Sequence, residues 1–533
     1  MTKLSLLLAS AAALLATPAL ARPMTATDMH MMHRLGAPEV SPDGKWAVFT
    51  ISDTDLAKNK RVNTLYLLDL TRPAATPLPI AGAAKGHDAV FGSDGAIWFL
   101  MAADGQDQLF RMPVGAAPVQ VSAFKGDIGG FKLSPDGSHV VVWADRDLRC
   151  GDLNCAGLPA KRQTGSARIY DQLFIRHWDT WAEPGVRSRL FAFPIAAGKL
   201  AGGGVPIEGN LVGDTPSKPF GGGEELSLSP DGRTLYFALR EAGRTEELST
   251  NLDIFAAPTD GSAPPVNLTD ANDATDNLPT VSPDGRTLAY FAMARPTYEA
   301  DRQVLMLRDL ATGQTRALTQ DWDRSVGSIE WAKDGRSLLV TAEDTLEQPV
   351  FRVDAATGKV TRLTRDGHFG NVHALRDGSI IATMNSIMAP DDVYRIGPGG
   401  ELAQLTNVNG ALLAQRDPVK FQKFNFRGAN NDTVWGWTLK PDGTQTIDCL
   451  SAVGDDRPIP NKDCNRHLPI AFLVHGGPQG TFSNSWSYRW NPRVFSGPGY
   501  GVVAVDFHGS TGYGQAFTDA IHQNWGGWPL DDL

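Results

Sequence analysis

Long apolar runs, excess basic charge and metal-binding motifs are all scarce in this 533-residue sequence. Beyond the first 21 residues, no segment approaches the roughly 20 apolar residues that a transmembrane helix needs. The formal net charge of −10 argues against nonspecific binding to nucleic acid. None of the 11 histidines, including His30 and His33, lies in an E-x-x-H or H-E-x-x-H pattern. We therefore expect no metal, no cofactor and no nucleic-acid partner.

The composition is otherwise that of an ordinary soluble globular protein, with 42% hydrophobic and 20% charged residues. The length allows two or more hydrophobic cores. The 55 glycines, 35 prolines, 23 phenylalanines and 13 tryptophans favour many aromatic-packed strands that are joined by tight turns.

The first residues have the layout of a secretory signal peptide. Lys3 precedes an apolar run over Leu4–Ala16, and Ala19 and Ala21 form an A-x-A pattern. The alternative, a membrane-anchor helix, needs a longer apolar run. We predict that residues 1–21 are cleaved off, and that the mature protein is secreted or periplasmic with no membrane contact.

The four cysteines fall into two local pairs, which we interpret as disulfides because an exported chain meets an oxidising compartment. Cys150 would pair with Cys155, and Cys449 with Cys464 across a polar insert. Zinc binding is the rival interpretation, but the second pair lacks C-x-x-C spacing and has only His467 as a nearby imidazole.

A D-G turn, preceded by Ser-Pro or a close variant and followed by an apolar strand, recurs along most of the chain. Successive turns lie 42–53 residues apart, except for one gap of 95 residues. The aspartates of these turns are Asp43, Asp94, Asp136, Asp231, Asp284, Asp334 and Asp377.

Each of these strands is followed by a second apolar run and often by a short fourth strand, which is typical of a propeller blade. Seven turns and seven second strands predict a seven-bladed β-propeller over residues 22–409. The long gap could hide an eighth blade, but it contains only one second-strand run, RLFAFPI. We therefore predict an excursion within blade three at roughly Asp145–Ser188.

The repeat stops after Asn409, and residues 410–533 are predicted to form part of an α/β-hydrolase domain. A two-strand meander, FQKFNFRGANNDTVWGWTLKP, comes first. The strand in LPIAFLVHGGPQG is apolar enough to be buried on both faces. A helix is expected around Trp486–Phe495, followed by a second buried strand in YGVVAVDFHGSTGYG.

The turn His475-Gly476-Gly477-Pro478 is the sharpest local signal of chemistry. At the end of a buried strand, such a turn can supply a backbone N–H to an oxyanion hole, because glycine leaves the approach to the amide open. The alternative is a tight strand-to-helix turn without a catalytic role.

The ordered combination of a repeat propeller, HGGPQG, DFHGSTGYGQAF and NWGG resembles the prolyl oligopeptidase family of serine peptidases, and within it the acylaminoacyl-peptidase and dipeptidyl-peptidase 5 branch. The resemblance implies that the propeller caps an α/β-hydrolase domain, with a Ser-Asp-His triad in the cavity between them. It also implies that Gly477 gives one oxyanion-hole N–H, and that Gly509–Gly514 is a structural turn. His508 stands where the family usually has Arg, so a salt bridge at that position is not expected to be kept.

The triad itself is absent from this sequence, because no G-x-S-x-G pentapeptide occurs before the last residue, Leu533. Ser510 lies in HGSTG, which fits the structural turn and not a nucleophile elbow. His475 is accordingly expected to orient the turn rather than to act as a general base. We expect the polypeptide of these 533 residues to be inactive alone.

Release of dipeptides requires a group that holds the free amino end of the substrate, and a carboxylate in the cavity would do so. Glu224 and Glu225, at the start of the inner strand of blade four, are the first candidates. The blade-three excursion offers a second set, two carboxylates with two apolar walls: Asp179, Glu183, Trp178 and Trp181. The alternative for each acid is a solvated loop carboxylate.

Two functions remain open from the sequence. The first is an exported serine peptidase that acts on short peptides and releases N-terminal dipeptides or acylated residues. The second is a non-catalytic propeller that binds peptides or proteins. The sequence also leaves open whether the protein forms a homo-oligomer.

Overall fold

A computed structural model describes residues 21–72, 75–155, 167, 169–170, 173–200, 202–243, 246–441 and 468–533. The predicted signal peptide and the Cys449–Cys464 pair lie outside the described residues, apart from Ala21. Over the described ranges, no helix is both long enough and apolar enough to cross a bilayer.

Seven antiparallel sheets follow one another along the chain after a short helix, α1 (Ala26–Met31). Blade one contains β1 (Arg34–Leu35), β2 (Glu39–Val40), β3 (Trp46–Asp55), β4 (Lys60–Asp69) and β5 (Leu78–Ala84). Blade two contains β6 (His87–Phe91), β7 (Ile97–Ala103), β8 (Gln106–Met112) and β9 (Val119–Gln120). Blade three contains β10 (Gly130–Leu133), β11 (His139–Asp147), a small separate hairpin of β12 (Arg176–His177) and β13 (Thr180–Trp181), then β14 (Val186–Ala196), β15 (Lys199–Leu200) and β16 (Val205–Pro206).

The remaining four blades each have four strands in sequence order. Blade four contains β17 (Leu226–Leu228), β18 (Thr234–Leu239), β19 (Asp253–Pro258) and β20 (Val266–Asn267). Blade five contains β21 (Asp276–Val281), β22 (Thr287–Ala292), β23 (Val304–Asp309) and β24 (Thr315–Ala317). Blade six contains β25 (Ser328–Trp331), β26 (Ser337–Thr341), β27 (Val350–Asp354) and β28 (Val360–Arg362), and blade seven contains β29 (His368–Ala374), β30 (Ile380–Ser386), β31 (Ala389–Ile396) and β32 (Leu402–Gln404). The prediction of a seven-bladed propeller is confirmed, and so is the assignment of the long gap to an excursion between β11 and β14.

The D-G turn joins β2 to β3 in blade one and the first strand to the second in each of the other blades. Its polar side chains show how such a hairpin is closed. In blade one, the Ser41 hydroxyl donates to Asp43 Oδ1 at 2.7 Å and accepts from the backbone N–H of Trp46 at 3.0 Å. Gly44 has a φ of 72°, a left-handed conformation that glycine adopts without steric cost. The motif thus closes the hairpin with its own polar groups.

Apolar side chains pack between neighbouring blades, and this packing closes the ring. Phe49 and Leu68 of blade one lie in one buried cluster with Ile381 and Val393 of blade seven. Full burial of each such side chain contributes roughly 1.5–3 kcal/mol. The first and last blades are therefore held together by the same kind of contact as blades that are adjacent in sequence.

The second region begins after α2 (Gly410–Leu413) and contains one mixed sheet. Its elements are β33 (Val419–Arg427), β34 (Thr433–Pro441), β35 (Ile470–Leu473), α3 (Pro492–Ser496), β36 (Gly501–Asp506), α4 (Gln515–Asp519) and α5 (Trp528–Asp532). The sheet order is β33-β34-β36-β35, with β35 parallel to β36. The partial α/β-hydrolase fold is confirmed, whereas the predicted boundary at Asn409 remains a prediction.

Two local predictions in this region need correction. The helix expected from Trp486 begins only at Pro492, because the Asn491 side chain caps it by accepting from the N–H of Arg493. The strand β35 was expected to be buried on both faces, but it is an edge strand with Ile470 and Phe472 exposed. Among the described residues, only β36 pairs with it.

Candidate active site

The turn after β35 brings its backbone to the surface of a cavity between the two domains. Gly477 has a φ of 131°, which a residue with a side chain rarely adopts. A Cβ atom at this position would lie 3.1 Å from the backbone nitrogen of Gln479. Within the described part of the chain, the N–H of Gly477 has no hydrogen-bond acceptor. The amide is therefore available to a ligand, as an oxyanion hole requires.

Asp506, the last residue of β36, holds the segment that follows this turn in place by hydrogen bonds. Its buried carboxylate accepts from the N–H of Phe482 at 2.7 Å and from the hydroxyl of Tyr513 at 2.8 Å, and the Thr481 hydroxyl also donates to it. Burial raises the pKa of Asp506. The carboxylate thus joins the segment after Gly477 to the loop after β36.

A serine, a histidine and an aspartate meet beside the turn. His475 Nε2 lies 2.8 Å from Ser510 Oγ and 3.7 Å from Asp506 Oδ1. The imidazole stacks on Phe507, with ring centroids 4.4 Å apart. This network was not expected from the sequence.

The network does not have the geometry of a catalytic triad. In a triad, the base contacts serine through one ring nitrogen and the carboxylate through the other. Here Nε2 of His475 faces both groups, while Nδ1 lies 3.1 Å from the carbonyl oxygen of Gly476. Ser510 is also fully buried, so a substrate could not reach its hydroxyl. These contacts fit the predicted role of His475 in orienting the turn.

His508, which replaces the arginine that the family usually has, is buried between two carboxylates. Its Nδ1 lies 2.6 Å from Asp532 Oδ2, and its Nε2 lies 3.2 Å from Asp432 Oδ2. The ring of Phe517 stacks on it at 4.3 Å. The histidine therefore contacts two carboxylates at a position where the sequence analysis did not expect a salt bridge to be kept.

The cavity at Gly477 has a volume of about 450 Å³, which is within the range of small-ligand sites. One wall comes from the hydrolase turns and includes Gln479 and Thr511. The other comes from propeller loops of blades five and six, at 299–303, 323–325, Gly327 and Glu343. The two domains thus enclose one space, as the resemblance implied.

Polar contacts across this interface hold the domains together beside the cavity. The Arg295 guanidinium of blade five donates to Asp519 of α4 at 2.9 Å, and the Tyr298 hydroxyl donates to the same oxygen at 3.0 Å. Gln515 Nε2 donates to the carbonyl oxygen of Ala300 at 2.9 Å. Burial alone would raise the pKa of Asp519, but hydrogen bonds from Arg295, Gln515 and Tyr298 outweigh it and lower the pKa.

The structure places Glu224 and Glu225 outside the lining of this cavity. Glu225 is buried, and its carboxylate accepts from the N–H and the hydroxyl of Ser217 at 2.6 and 2.7 Å and from Asn277 Nδ2 at 2.8 Å. Burial raises the pKa of Glu225. Glu224 is exposed. Their role in binding an amino group remains a prediction.

The blade-three candidates lie on the excursion between β11 and β14. That connection joins the same two strands of its blade as the loops that carry 299–303 and Glu343, so it leaves the propeller on the face towards the hydrolase domain. Trp178 is 71% exposed, and its ring centroid lies 4.9 Å from that of Phe220. Trp181 and Glu183 line a second cavity of about 550 Å³, whereas Asp179 is exposed and lines neither cavity.

The first predicted cysteine pair is joined in the structure. Cys150 and Cys155 form a disulfide with their Cα atoms 5.6 Å apart. The carbonyl oxygen of Cys150 accepts from the Arg189 guanidinium at 2.9 Å. The disulfide thus lies against β14, at the base of the blade-three excursion.

Comparison with known proteins identifies relatives over almost the whole chain. The model of the prolyl oligopeptidase family matches residues 486–533. Dipeptidyl-peptidase 5 of Aspergillus fumigatus is 30% identical over 528 residues, which cover 92% of this chain and 69% of the relative. Dipeptidyl-peptidase 5 of Porphyromonas gingivalis is 30% identical over 506 residues, which cover 94% of this chain and 70% of the relative.

Solved structures share the fold at lower identity. The acylaminoacyl peptidase of Pyrococcus horikoshii superposes with a TM-score of 0.71 at 15% identity, covering 95% of this chain and 70% of its own. A puromycin-hydrolysing peptidase of Mycobacterium tuberculosis superposes with a TM-score of 0.61 at 16% identity. The superposition covers 96% of this chain and 72% of the peptidase.

Proposed function

The chain belongs to the prolyl oligopeptidase family of serine peptidases, and we propose that it is an exported peptidase that hydrolyses short peptides and releases N-terminal dipeptides or acylated residues. The observation that carries this proposal is the N–H of Gly477. It is left without an acceptor by the described residues and lines the cavity between the two domains.

In this proposal, the substrate's scissile carbonyl lies against Gly477. As the carbonyl carbon becomes tetrahedral, its oxygen gains negative charge, and a fixed N–H stabilises that charge. The Asp506 carboxylate and the His475–Ser510 contact hold the turn in place before substrate arrives. Because the cavity measures about 450 Å³, short peptides are the substrates that it suits.

Export rests on the N-terminal residues, whose charged, apolar and A-x-A parts follow the order of a cleaved signal peptide. The Cys150–Cys155 disulfide is in keeping with an oxidising compartment. We therefore propose a secreted or periplasmic location. N-terminal sequencing of the exported protein tests the proposal, since we expect the mature chain to begin at Arg22.

Residues 1–533 contain no G-x-S-x-G pentapeptide, and the buried Ser510 is no substitute for a nucleophile. We propose that the polypeptide of these residues alone does not hydrolyse peptides. The exposed side chains of β35 and its single described pairing with β36 support a second expectation. An unpaired apolar edge invites aggregation, so the hydrolase part should be less stable than the propeller.

Labelling with a serine-directed fluorophosphonate tests the assignment. We expect a longer form of the protein, extended through a G-x-S-x-G elbow, to be labelled and to cleave short peptides. We expect residues 1–533 alone to remain unlabelled. Stoichiometric labelling of the 533-residue polypeptide would show that a serine within it is the nucleophile. An extended form that neither reacts nor cleaves would instead favour the non-catalytic, peptide-binding alternative.

A further inference from the structure

The second cavity, of about 550 Å³, lies between the blade-three excursion and the connection from β16 to β17. Both segments leave the propeller on the face that is turned towards the hydrolase domain. In the described part of the chain, no residue lines both this cavity and the one at Gly477. The propeller therefore carries a second enclosed space on the side where a peptide substrate would lie.

Four aromatic rings of the excursion line this second cavity, and they belong to Tyr170, Phe174, His177 and Trp181. The rings of Tyr170 and Trp181 stack with their centroids 6.3 Å apart, and the rings of Phe174 and His177 meet edge to face at 6.0 Å. Aromatic rings attract one another at centroid distances of about 4.5–7 Å. The lining therefore suits a further flat ring.

Two polar atoms of these rings are buried and have no hydrogen-bond partner among the described residues. They are the hydroxyl oxygen of Tyr170 and Nδ1 of His177. Buried polar side-chain atoms are nearly always hydrogen-bonded, and leaving one unsatisfied is costly. Since both rings line the cavity, a ligand with its own hydrogen-bonding group would remove this cost.

Four charged side chains of the same lining are paired within the protein. The Arg187 guanidinium lies 3.0 Å from Asp214 and 2.8 Å from Glu246, and Lys218 Nζ lies 2.7 Å from Asp145. An ionic ligand would have to compete with these ion pairs. An uncharged ligand leaves them intact.

Arginine side chains already lie over two of the four rings. The guanidinium carbon of Arg240 is 5.4 Å from the ring centroid of Phe174, and that of Arg176 is 5.4 Å from the ring centroid of Trp181. Aromatic cages commonly bind cations, but a cationic ligand here would be repelled by these two guanidinium groups. The ring that the cavity suits is therefore a neutral one.

We propose that this cavity binds an uncharged aromatic side chain of a peptide, at a site separate from the cavity at Gly477. That the ligand is a peptide rests on the proposed function, whereas its aromatic ring is inferred from the lining. Tyrosine fits best, because its ring packs against Tyr170 and Trp181 and its hydroxyl both donates and accepts hydrogen bonds. Phenylalanine would fill the same space but would leave Tyr170 and His177 without a partner.

The test measures, by ligand-observed NMR, the dissociation constants of N-acetyl-tyrosinamide, N-acetyl-phenylalaninamide and N-acetyl-leucinamide with the full-length protein. We expect the tyrosine probe to bind most tightly and the leucine probe most weakly. Trp181→Ala should weaken the tyrosine probe by about 3- to 10-fold, which is the range of one aromatic contact. Trp178→Ala removes a tryptophan of the same hairpin that does not line the cavity, and should change this affinity far less.

Tyr170→Phe separates the hydroxyl from the ring. It should lower the affinity for the tyrosine probe towards that for the phenylalanine probe, and leave the phenylalanine probe unchanged. This comparison also decides the matter if Trp181→Ala does not fold.

Three results would overturn the inference. Equal affinities of the wild-type protein for the tyrosine and leucine probes would show that no ring is recognised. A loss in Trp178→Ala as large as that in Trp181→Ala would place the contact outside the cavity. Tighter binding of tetramethylammonium than of the tyrosine probe, lost in Trp181→Ala, would show that the rings hold a cation. Tyrosine-selective binding by a protein that cleaves no peptide would support the site and count against the proposed function alone.

Discussion

Replacement of Gly477 by alanine perturbs the proposed oxyanion hole with the smallest possible side chain. The backbone at this position has a φ of 131°, and the new Cβ would lie 3.1 Å from the nitrogen and 3.3 Å from the carbonyl carbon of Gln479. Both contacts are with backbone atoms, which cannot move aside as a flexible side chain can. The turn must therefore change its conformation, and the N–H of residue 477 moves with it.

The size of the effect follows from two contributions. An L-residue forced into a left-handed conformation costs roughly 1–2 kcal/mol of folding stability. Loss of one oxyanion-hole donor lowers kcat by about 100- to 1000-fold in peptidases. Since the strained turn relaxes and does not lose its amide altogether, we expect a loss in kcat near the lower figure, about 100-fold.

The assay is the steady-state cleavage of a free-amine peptide by the full-length enzyme, with thermal unfolding measured in parallel. Gly476→Ala is the matched comparison in the same turn, because a Cβ there meets no atom within 4 Å. We expect it to lose at least tenfold less activity than Gly477→Ala. If both variants keep the wild-type kcat, the Gly477 amide does not stabilise the transition state and the assignment of the site is wrong.

Two further predictions concern stability and pH. Arg295→Ala should destabilise the docking of α4 by about 1 kcal/mol, which should be seen as faster amide exchange over Gln515–Asp519. The folded pKa of Asp519 is lowered. The difference in exchange between wild type and variant should therefore persist above pH 3.8 and vanish as Asp519 becomes protonated in more acidic buffer. Equal exchange of the wild type and the variant at pH 7 would show that Arg295 does not hold α4 in place. Burial raises the pKa of Asp276 from 3.8 to about 8, so wild-type stability should fall as the pH rises from about 4 to 8. Asp276→Asn should therefore raise the melting temperature at pH 8 and not at pH 4. A difference in melting temperature between variant and wild type that does not depend on pH would contradict this prediction.

The propeller could be predicted from the sequence because each blade is specified locally. The Ser41 and Asp43 side chains and the left-handed Gly44 close a hairpin by contacts within a few residues. The Asp-Gly pair, with a left-handed glycine, recurs at all seven turns, so seven turns implied seven sheets. The helix near Pro492 was misplaced because its start depends on a cap from Asn491, which the apolar pattern around Trp486 does not reveal.

The exposure of Ile470 and Phe472 in β35 could not be predicted from the apolar run alone. Such a run is typical of a strand buried on both faces, but the exposure of the side chains depends on which other elements pack against those faces. The contacts of His475 with Ser510 and Asp506 were equally hidden. Ser510 lies 35 positions and Asp506 31 positions after His475, and the parallel pairing of β35 with β36 brings the ends of these two strands together.

The carboxylates show most clearly where sequence reasoning ends. The sequence pointed to Glu225 as a ligand for an amino group and did not single out Glu343, although both lie in connections between propeller strands. What separates them is their surroundings. Ser217 and Asn277 already donate to Glu225, whereas Glu343 lines the same cavity as Gly477. The two partners of Glu225 are 8 and 52 residues away from it in the chain. The acid that remains available to a substrate is therefore determined by long-range packing, and only the folded chain identifies it.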